Sequence, residues 1–392
     1  MKRQDRQPVR MDKIPPHSVV DSKGKRSSLS RKLLLMLGGL IVGFAIAEWA
    51  TRVWLYGVAD DYTFAQIALY EDVPQQHRMF SPHHYLNYCN TPGFVSRDGL
   101  NRHNKLGFRG EEIAVPKPAG TFRIAVLGGS GTYTIKVPDY RQSFPAQLEK
   151  QLREQYGRVN VEVVNAGVGG YNSWESLINL QFRVLDLQPD LVIFYDAIND
   201  VHARIVPPDV YRGDNSGERR QWQTPKRALW ERSVLLRLLN QRLRLVPMRY
   251  VGLEGYVNTD SSYMNLWSKD PEMVKLIDAN PPTFFRRNLE NMIAISRQQK
   301  VGFVLSTWAH SPNKPGPGEY VTWPQYAKGA AEHNQIIQAV AAEQKVPLLD
   351  LSAVMPQDAQ YWFDGRHVNE AGAQKKAEFF AKFLIEQNLI PQ

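Results

Sequence analysis

A chain of 392 residues has room for one large α/β core with appendages, since single cores rarely grow past about 250 to 300 residues. Its composition, 43% hydrophobic and 22% charged, excludes a disordered chain, a collagen-like repeat and a multispanning membrane protein. The net charge of +9 belongs to the first 32 residues, whose ten Lys or Arg and three Asp supply +7 of it. That basic tail runs into Leu33 to Ala47, which carry no charge and are almost all apolar, and then into Glu48, Trp49, Arg52, Trp54 and Tyr56. The pattern predicts a transmembrane signal anchor over 33–56, with Glu48 and Arg52 snorkelling and the aromatic residues at the interface. Positive charge before the span makes 1–32 a cytoplasmic tail, puts the remainder on the periplasmic or extracellular side and makes membrane lipid a partner. Ala45-Ile46-Ala47 also resembles an A-x-A processing site, so a cleaved signal peptide is the competing expectation. The apolar segment accounts for the tail's charge, and no nucleic-acid partner is expected. A single cysteine, Cys89, excludes an intrachain disulfide and a cysteine-based zinc site.

Residues 57–120, rich in Tyr, His, Pro and Gly and without a sustained period, read as an irregular stalk or lead-in. From Phe122 the character changes. Strands are predicted at 122–127, 159–164, 190–195, 301–308 and 346–351, alternating with helices at 143–156, 173–185, 284–299 and 326–344. Such alternation means a parallel sheet covered on both faces, so the expected fold is a three-layer α/β/α sandwich with a central, mainly parallel five-stranded sheet of flavodoxin-like type. This domain would fill 121–392, with an insertion at about 204–283. Within the insertion, 229–247 pairs Leu235, Leu236, Leu238 and Leu239 with Arg232, Arg237, Arg242 and Arg244, a basic amphipathic helix that could pack on the domain, cover the site or lie on a bilayer.

Ligand sites in doubly wound sheets lie at the carboxyl ends of the strands. There the sequence places Ser130 after Gly128-Gly129, the glycine-rich run Gly167 to Gly170, and Asn199-Asp200, while Asp364-Gly365-Arg366-His367 stands near the C-terminus. Taken in order over 122–384, these blocks resemble the SGNH (GDSL-like) hydrolases, membrane-anchored bacterial type. The family's Gly-Asp-Ser turn is matched by Gly128-Gly129-Ser130, which lacks the Asp, and its Gly-x-Asn-Asp block by Ala197 to Asp200, with Ala for Gly.

A serine hydroxyl is a weak nucleophile until a base takes its proton, a task that falls to His367, with Asp364 three residues earlier holding the useful tautomer. The resemblance implies an oxyanion hole made by the N–H groups of Ser130 and Gly170 and the Asn199 amide. Taken singly each piece is ordinary: Ser130 could cap a helix, Gly170 could serve a positive φ, and Asp364 to His367 could be a capping turn. Competing motifs fail. The G-x-S-x-G elbow is broken by Thr132, no P-loop is present, and the remaining histidines lack metal-ligand spacing, so neither metal nor cofactor is expected. Asn104 to Gly110 resembles a lead-in of anchored bacterial members and reads as a packing turn or a substrate contact. His310, after the fourth strand, is a substrate-pocket candidate or a structural histidine.

The sequence thus predicts a serine ester hydrolase acting on acyl esters through an acyl-serine, with O-acetyl or short-chain esters, acylated envelope polysaccharide among them, as implied substrates. An O-acyltransferase with the same triad, a non-catalytic glycan-binding or scaffold protein, and a lipase at the membrane surface are the alternatives.

Overall fold

The computed structural model describes residues 23–60, 63–64, 67–214, 216–217, 222, 227–243, 245, 271–314 and 322–391; most of the basic tail and the stretch 246–270 lie outside them. The first described element is helix α1 (Lys23–Gly57), long and apolar enough to cross a membrane and exposed along its apolar length. A two-stranded antiparallel hairpin, β1 (Phe80–His83) and β2 (Asn87–Asn90), follows.

Five further strands form one sheet: β3 (Phe122–Gly128), β4 (Val161–Gly167), β5 (Leu191–Phe194), β6 (Gly302–Ser306) and β7 (Leu348–Leu349). They lie in the order β4-β3-β5-β6-β7, every pairing parallel. The central strands are apolar on both faces, Ile124 to Leu127 and Val192 to Phe194 being wholly buried, as a sheet covered on both sides requires. Right-handed crossovers dictate the layers. Passing from β3 to β4 moves the chain one way along the sheet, so α2 (Phe144–Glu154) covers one face. Every later step runs the other way, so α3 (Ser173–Asn179), α6 (Thr283–Gln298) and α7 (Pro324–Gln344) cover the opposite face. The last helix, α8 (Glu370–Glu386), returns to pack on α2. The expected three-layer α/β/α sandwich is the observed fold, with its switch of direction at β3.

Two short helices flank this frame: α4 (Ile198–Ala203), shortly after β5, and α5 (Val234–Leu243), within the insertion. The insertion closes on itself. Arg204 donates to the carbonyls of Ile277 and Asn280, and the Asn280 amide donates to those of Arg204 and Val206.

The lead-in differs from the irregular stalk that its composition suggests. Its hairpin and loops are stitched to the sandwich: Tyr88 donates to the Gly169 carbonyl at 2.8 Å and Asn90 to that of Gly167 at 3.0 Å. Arg109 is buried, and its guanidinium donates to the carbonyls of Tyr133, Thr134, Val137 and Pro138. The Asn104 to Gly110 motif is therefore a packing turn. The reason for the difference is chemical: here side-chain amides and guanidinium groups replace an apolar period as the means of attachment.

The anchor also differs at its outer end. Glu48 does not snorkel: its carboxylate accepts from the Ser233 hydroxyl and from the backbone N–H groups of Val234 and Leu235, capping α5. Arg52 pairs with Glu48 at 2.7 Å and donates to the Arg232 carbonyl. Arg97 in turn donates to the carbonyls of Leu55, Tyr56 and Ala59 at the end of α1. The amphipathic helix packs on α1, where Val234 and Leu238 join Leu55, Phe64 and Ile67 in a small apolar cluster; Arg244, predicted in that helix, lies outside the described residues.

Candidate active site

Strand β3 delivers Ser130 into a single helical turn, Ser130–Tyr133. Gly128 makes this possible. Its φ of 151° lies in a region that favours glycine, and a β-carbon there would fall 2.2 Å from the Tyr195 carbonyl oxygen. The turn is held from below by Thr132, which donates to that same carbonyl at 2.8 Å, and by the Arg109 strap.

His367 reaches the site from the loop before α8. Its Nε2 lies 2.9 Å from the Ser130 Oγ, and its Nδ1 lies 2.9 Å from Asp364 Oδ2 and 3.1 Å from Oδ1. Three residues suffice to present both groups because the segment is a tight turn. The N–H groups of Phe363 and Asp364 donate to the His367 carbonyl, while those of Arg366 and His367 donate back to Asp364 Oδ1. Burial would raise the Asp364 carboxyl, but the hydrogen bond and charge of His367, with the N–H and charge of Arg366, bring it down to about 2. Burial pushes His367 down to about 4, against the opposing effect of the hydrogen bond its Nδ1–H donates to Asp364. The pair at neutral pH is therefore a carboxylate and a neutral imidazole, the state that accepts a proton from a hydroxyl.

The other two blocks close around this group. Gly170 adopts a φ of 82° in the turn after β4, which is tied to β3 by the Val168 N–H on the Gly128 carbonyl. Asn199, in the first turn of α4, donates to the Tyr171 carbonyl at 2.7 Å and approaches Asp196 Oδ2 at 3.4 Å. The structure thus joins Ser130, His367 and Asp364 at the carboxyl ends of the strands, with Asn199 and the turn that holds Gly170 and Tyr171 beside Gly129. Asp200 has a different place, buried beneath α3, where it accepts from the Ser173 hydroxyl and N–H.

His310 stands beside this group rather than in it. Its ring stacks on Trp308 at 5.3 Å and 10°, and the next residue, Ser311, donates its N–H to the Gly365 carbonyl, bracing the histidine turn. Three polar residues near the site were not singled out from the sequence. Asp196 is buried behind Gly129, and burial pushes its carboxyl up to about 7. Lys376 projects from α8 over the Tyr195 ring at 4.2 Å, and burial brings its ammonium down to about 7. Lys136 lies over the Phe363 ring at 5.0 Å. Only Lys376 left a trace, since it shares the helical face of Ala373, Ala377 and Phe380.

A hydroxyl, an imidazole and a carboxylate in hydrogen-bonded series can activate an oxygen nucleophile. The family model described as the GDSL-like lipase/acylhydrolase family matches residues 126–375. The chain belongs to this family. Solved structures to which this GDSL-like chain is similar include a lipase/acylhydrolase from Enterococcus faecalis, at 17% identity and a TM-score of 0.41, covering 68% of this chain and 97% of that one. A GDSL-like lipase from Bacteroides thetaiotaomicron is 15% identical over 68% of this chain and 87% of its own, with a TM-score of 0.37. A catalytic mutant of an acetylxylan esterase from Geobacillus stearothermophilus is 14% identical over 67% and 94%, with a TM-score of 0.39. No curated protein matches the chain.

Proposed function

We propose that this GDSL-like acylhydrolase is a serine esterase in which Ser130 attacks the ester carbonyl, His367 takes and returns the proton, and Asp364 holds the imidazole. The observation that carries the reading is the unbroken contact from Ser130 Oγ to His367 Nε2 and from His367 Nδ1 to Asp364. The Ser130 and Gly170 N–H groups and the Asn199 amide receive the oxyanion, and water then releases the acyl group from Ser130. The substrate class is O-acetyl or short-chain acyl esters, acylated envelope polysaccharide among them. An acyltransferase would use the same acyl-serine and differ only in the acceptor.

The anchor is part of the proposal. The anchor expected over 33–56 lies within Leu29–Gly57, a helical stretch long and apolar enough to cross a hydrocarbon core of about 30 Å. From Glu48 onward α1 is bonded to the folded domain. We read the helix as a retained span with the cytoplasmic tail before it and the hydrolase domain outside, because its outer third is a structural part of that domain.

The deciding experiment measures hydrolysis of p-nitrophenyl acetate and longer esters by the full chain in detergent beside Ser130→Ala. The reading requires turnover that disappears in Ser130→Ala, together with a phosphonate adduct on Ser130. Equal rates in the two proteins would sink it and favour a non-catalytic glycan-binding role.

A further inference from the structure

The Ser130 turn carries Gly129 where the GDSL-like pattern has aspartate, yet the space beyond Gly129 is not vacant. A β-carbon on Gly129 would lie 2.4 Å from Asn199 Nδ2, 2.6 Å from Asp196 Oδ2 and 2.7 Å from the Tyr171 carbonyl oxygen. A carboxylate is therefore already present at this point, delivered from the end of β5 instead of from the turn itself. Asp196 is 4% exposed and reaches three neighbours. Its Oδ1 accepts from the Ala197 N–H at 2.8 Å, its carboxylate accepts from the Gly129 N–H, and its Oδ2 lies 3.4 Å from the Asn199 amide nitrogen. One side chain thus bridges the residue before the nucleophile and the residue that supplies an oxyanion donor.

We propose that Asp196 is a positioning residue for ester cleavage, its carboxylate standing in for the one that the Ser130 turn lacks and holding Gly129 and the Asn199 amide in register. This rests on the serine-esterase reading above. The Asn199 amide has two hydrogens. One is committed to the Tyr171 carbonyl at 2.7 Å, whereas the other is drawn toward Asp196 at the longer 3.4 Å and is the one free to turn to the oxygen of a tetrahedral intermediate. Without Asp196 that amide loses its orienting acceptor, and the Gly129 N–H, packed in a buried turn, loses its partner.

The ionised form is the one that accepts these three bonds. The groups facing it are Glu175 from α3, Asp200 from α4 and Tyr195 just after β5, with the Lys376 ammonium of α8 over the Tyr195 ring. Burial, with Glu175 as a lesser cause, lifts the carboxyl to about 7, so protonation as pH falls through that value releases the grip on Asn199 and lowers kcat.

The test compares the full chain with Asp196→Asn and Asp196→Ala on p-nitrophenyl acetate across pH 4 to 9, with rates corrected for folded fraction from thermal melts. The expected result is a kcat reduced roughly tenfold or more with KM within about twofold, as removal of transition-state positioning requires. In Asp196→Asn, which preserves the shape, the wild-type limb near pH 7 also vanishes. A wild-type kcat and an unchanged limb in Asp196→Asn would overturn the proposal. So would a loss that tracks only the folded fraction. Ser130→Ala, run beside them, separates the two claims: turnover by Ser130→Ala sinks the esterase reading itself, whereas an inert Ser130→Ala with an unaltered Asp196→Asn sinks only the role of Asp196.

Discussion

His367 sets the pH response that remains once the Asp196 limb is removed. Its ordinary value is near 6.5, and burial pushes it down to about 4, so the neutral base persists through mildly acidic solution. The predicted kcat/KM of Asp196→Asn, freed of the limb near 7, holds down to about pH 5 and falls as pH drops through about 4. A midpoint near 6.5 in that variant would mean that the imidazole is not desolvated in the working enzyme. Linkage gives the stability sign: between about 6.5 and 4 the unfolded chain binds a proton that the folded one refuses, so His367 contributes a loss of stability as pH falls across that window. At Asn199, removal of the amide in Asn199→Ala removes one oxyanion donor, and kcat should fall roughly 100-fold or more with a smaller change in KM. An equal loss in labelling of Ser130 by a phosphonate distinguishes this from a failure of deacylation alone, since both steps pass through the same oxyanion.

At the scale of elements, the site is carried by turns that other segments brace, and the Arg109 strap is the brace most open to test. Its guanidinium answers four carbonyls around and after the Ser130–Tyr133 turn, those of Tyr133, Thr134 and Val137 buried, and its Nε donates to Asn101. Lysine brings one point charge to a place that needs a fork, so Arg109→Lys leaves several carbonyls unanswered and should lower stability by about 2 to 4 kcal/mol in urea unfolding. A cost below about 0.5 kcal/mol would place the strap's energy elsewhere. This element also shows what the sequence could and could not reveal. Strands β3 to β7 were legible because a sheet buried on both faces writes its position in continuous apolar runs such as Ile124 to Leu127, and the blocks after β3, β4 and β5 lie where such a sheet must carry its site. The hairpin β1-β2 was not legible. It alternates no apolar face, since Tyr88 and Asn90 attach through hydrogen bonds to glycine carbonyls at and just after the end of β4, 81 and 77 residues away. Asp196 was hidden for a related reason: only the fold shows that the side chain missing at Gly129 is replaced from another strand.

On the scale of the whole molecule, the question is how the domain sits relative to a membrane. The helix α5 turns Val234, Arg237 and Asn240 inward, toward the cluster on α1, and leaves Leu239 and Leu243, 43% and 62% exposed, on the outward side beside exposed Arg242. Leu229 and Leu245 flank it at 83% and 71% exposure. Its N-terminus is fixed to Glu48, one residue beyond the apolar stretch that ends at Ala47, and from there it packs beside Trp54, Leu55 and Tyr56 of α1. Leucines beside arginines on one short helix suit a headgroup boundary, and burial of apolar side chains there adds to the anchor. Such a second contact would make α1 a rigid mount instead of a flexible tether. In nanodiscs, an environment-sensitive dye on Leu239→Cys should shift to the blue and be quenched by lipids carrying a quencher near the headgroup, whereas the same dye on Val159→Cys, an exposed site on the sandwich, should do neither. The only native thiol, Cys89, is buried and should not compete for the label. Equal, water-like emission at both positions would mean that the leucine face stands clear of the bilayer and that the domain is held by α1 alone.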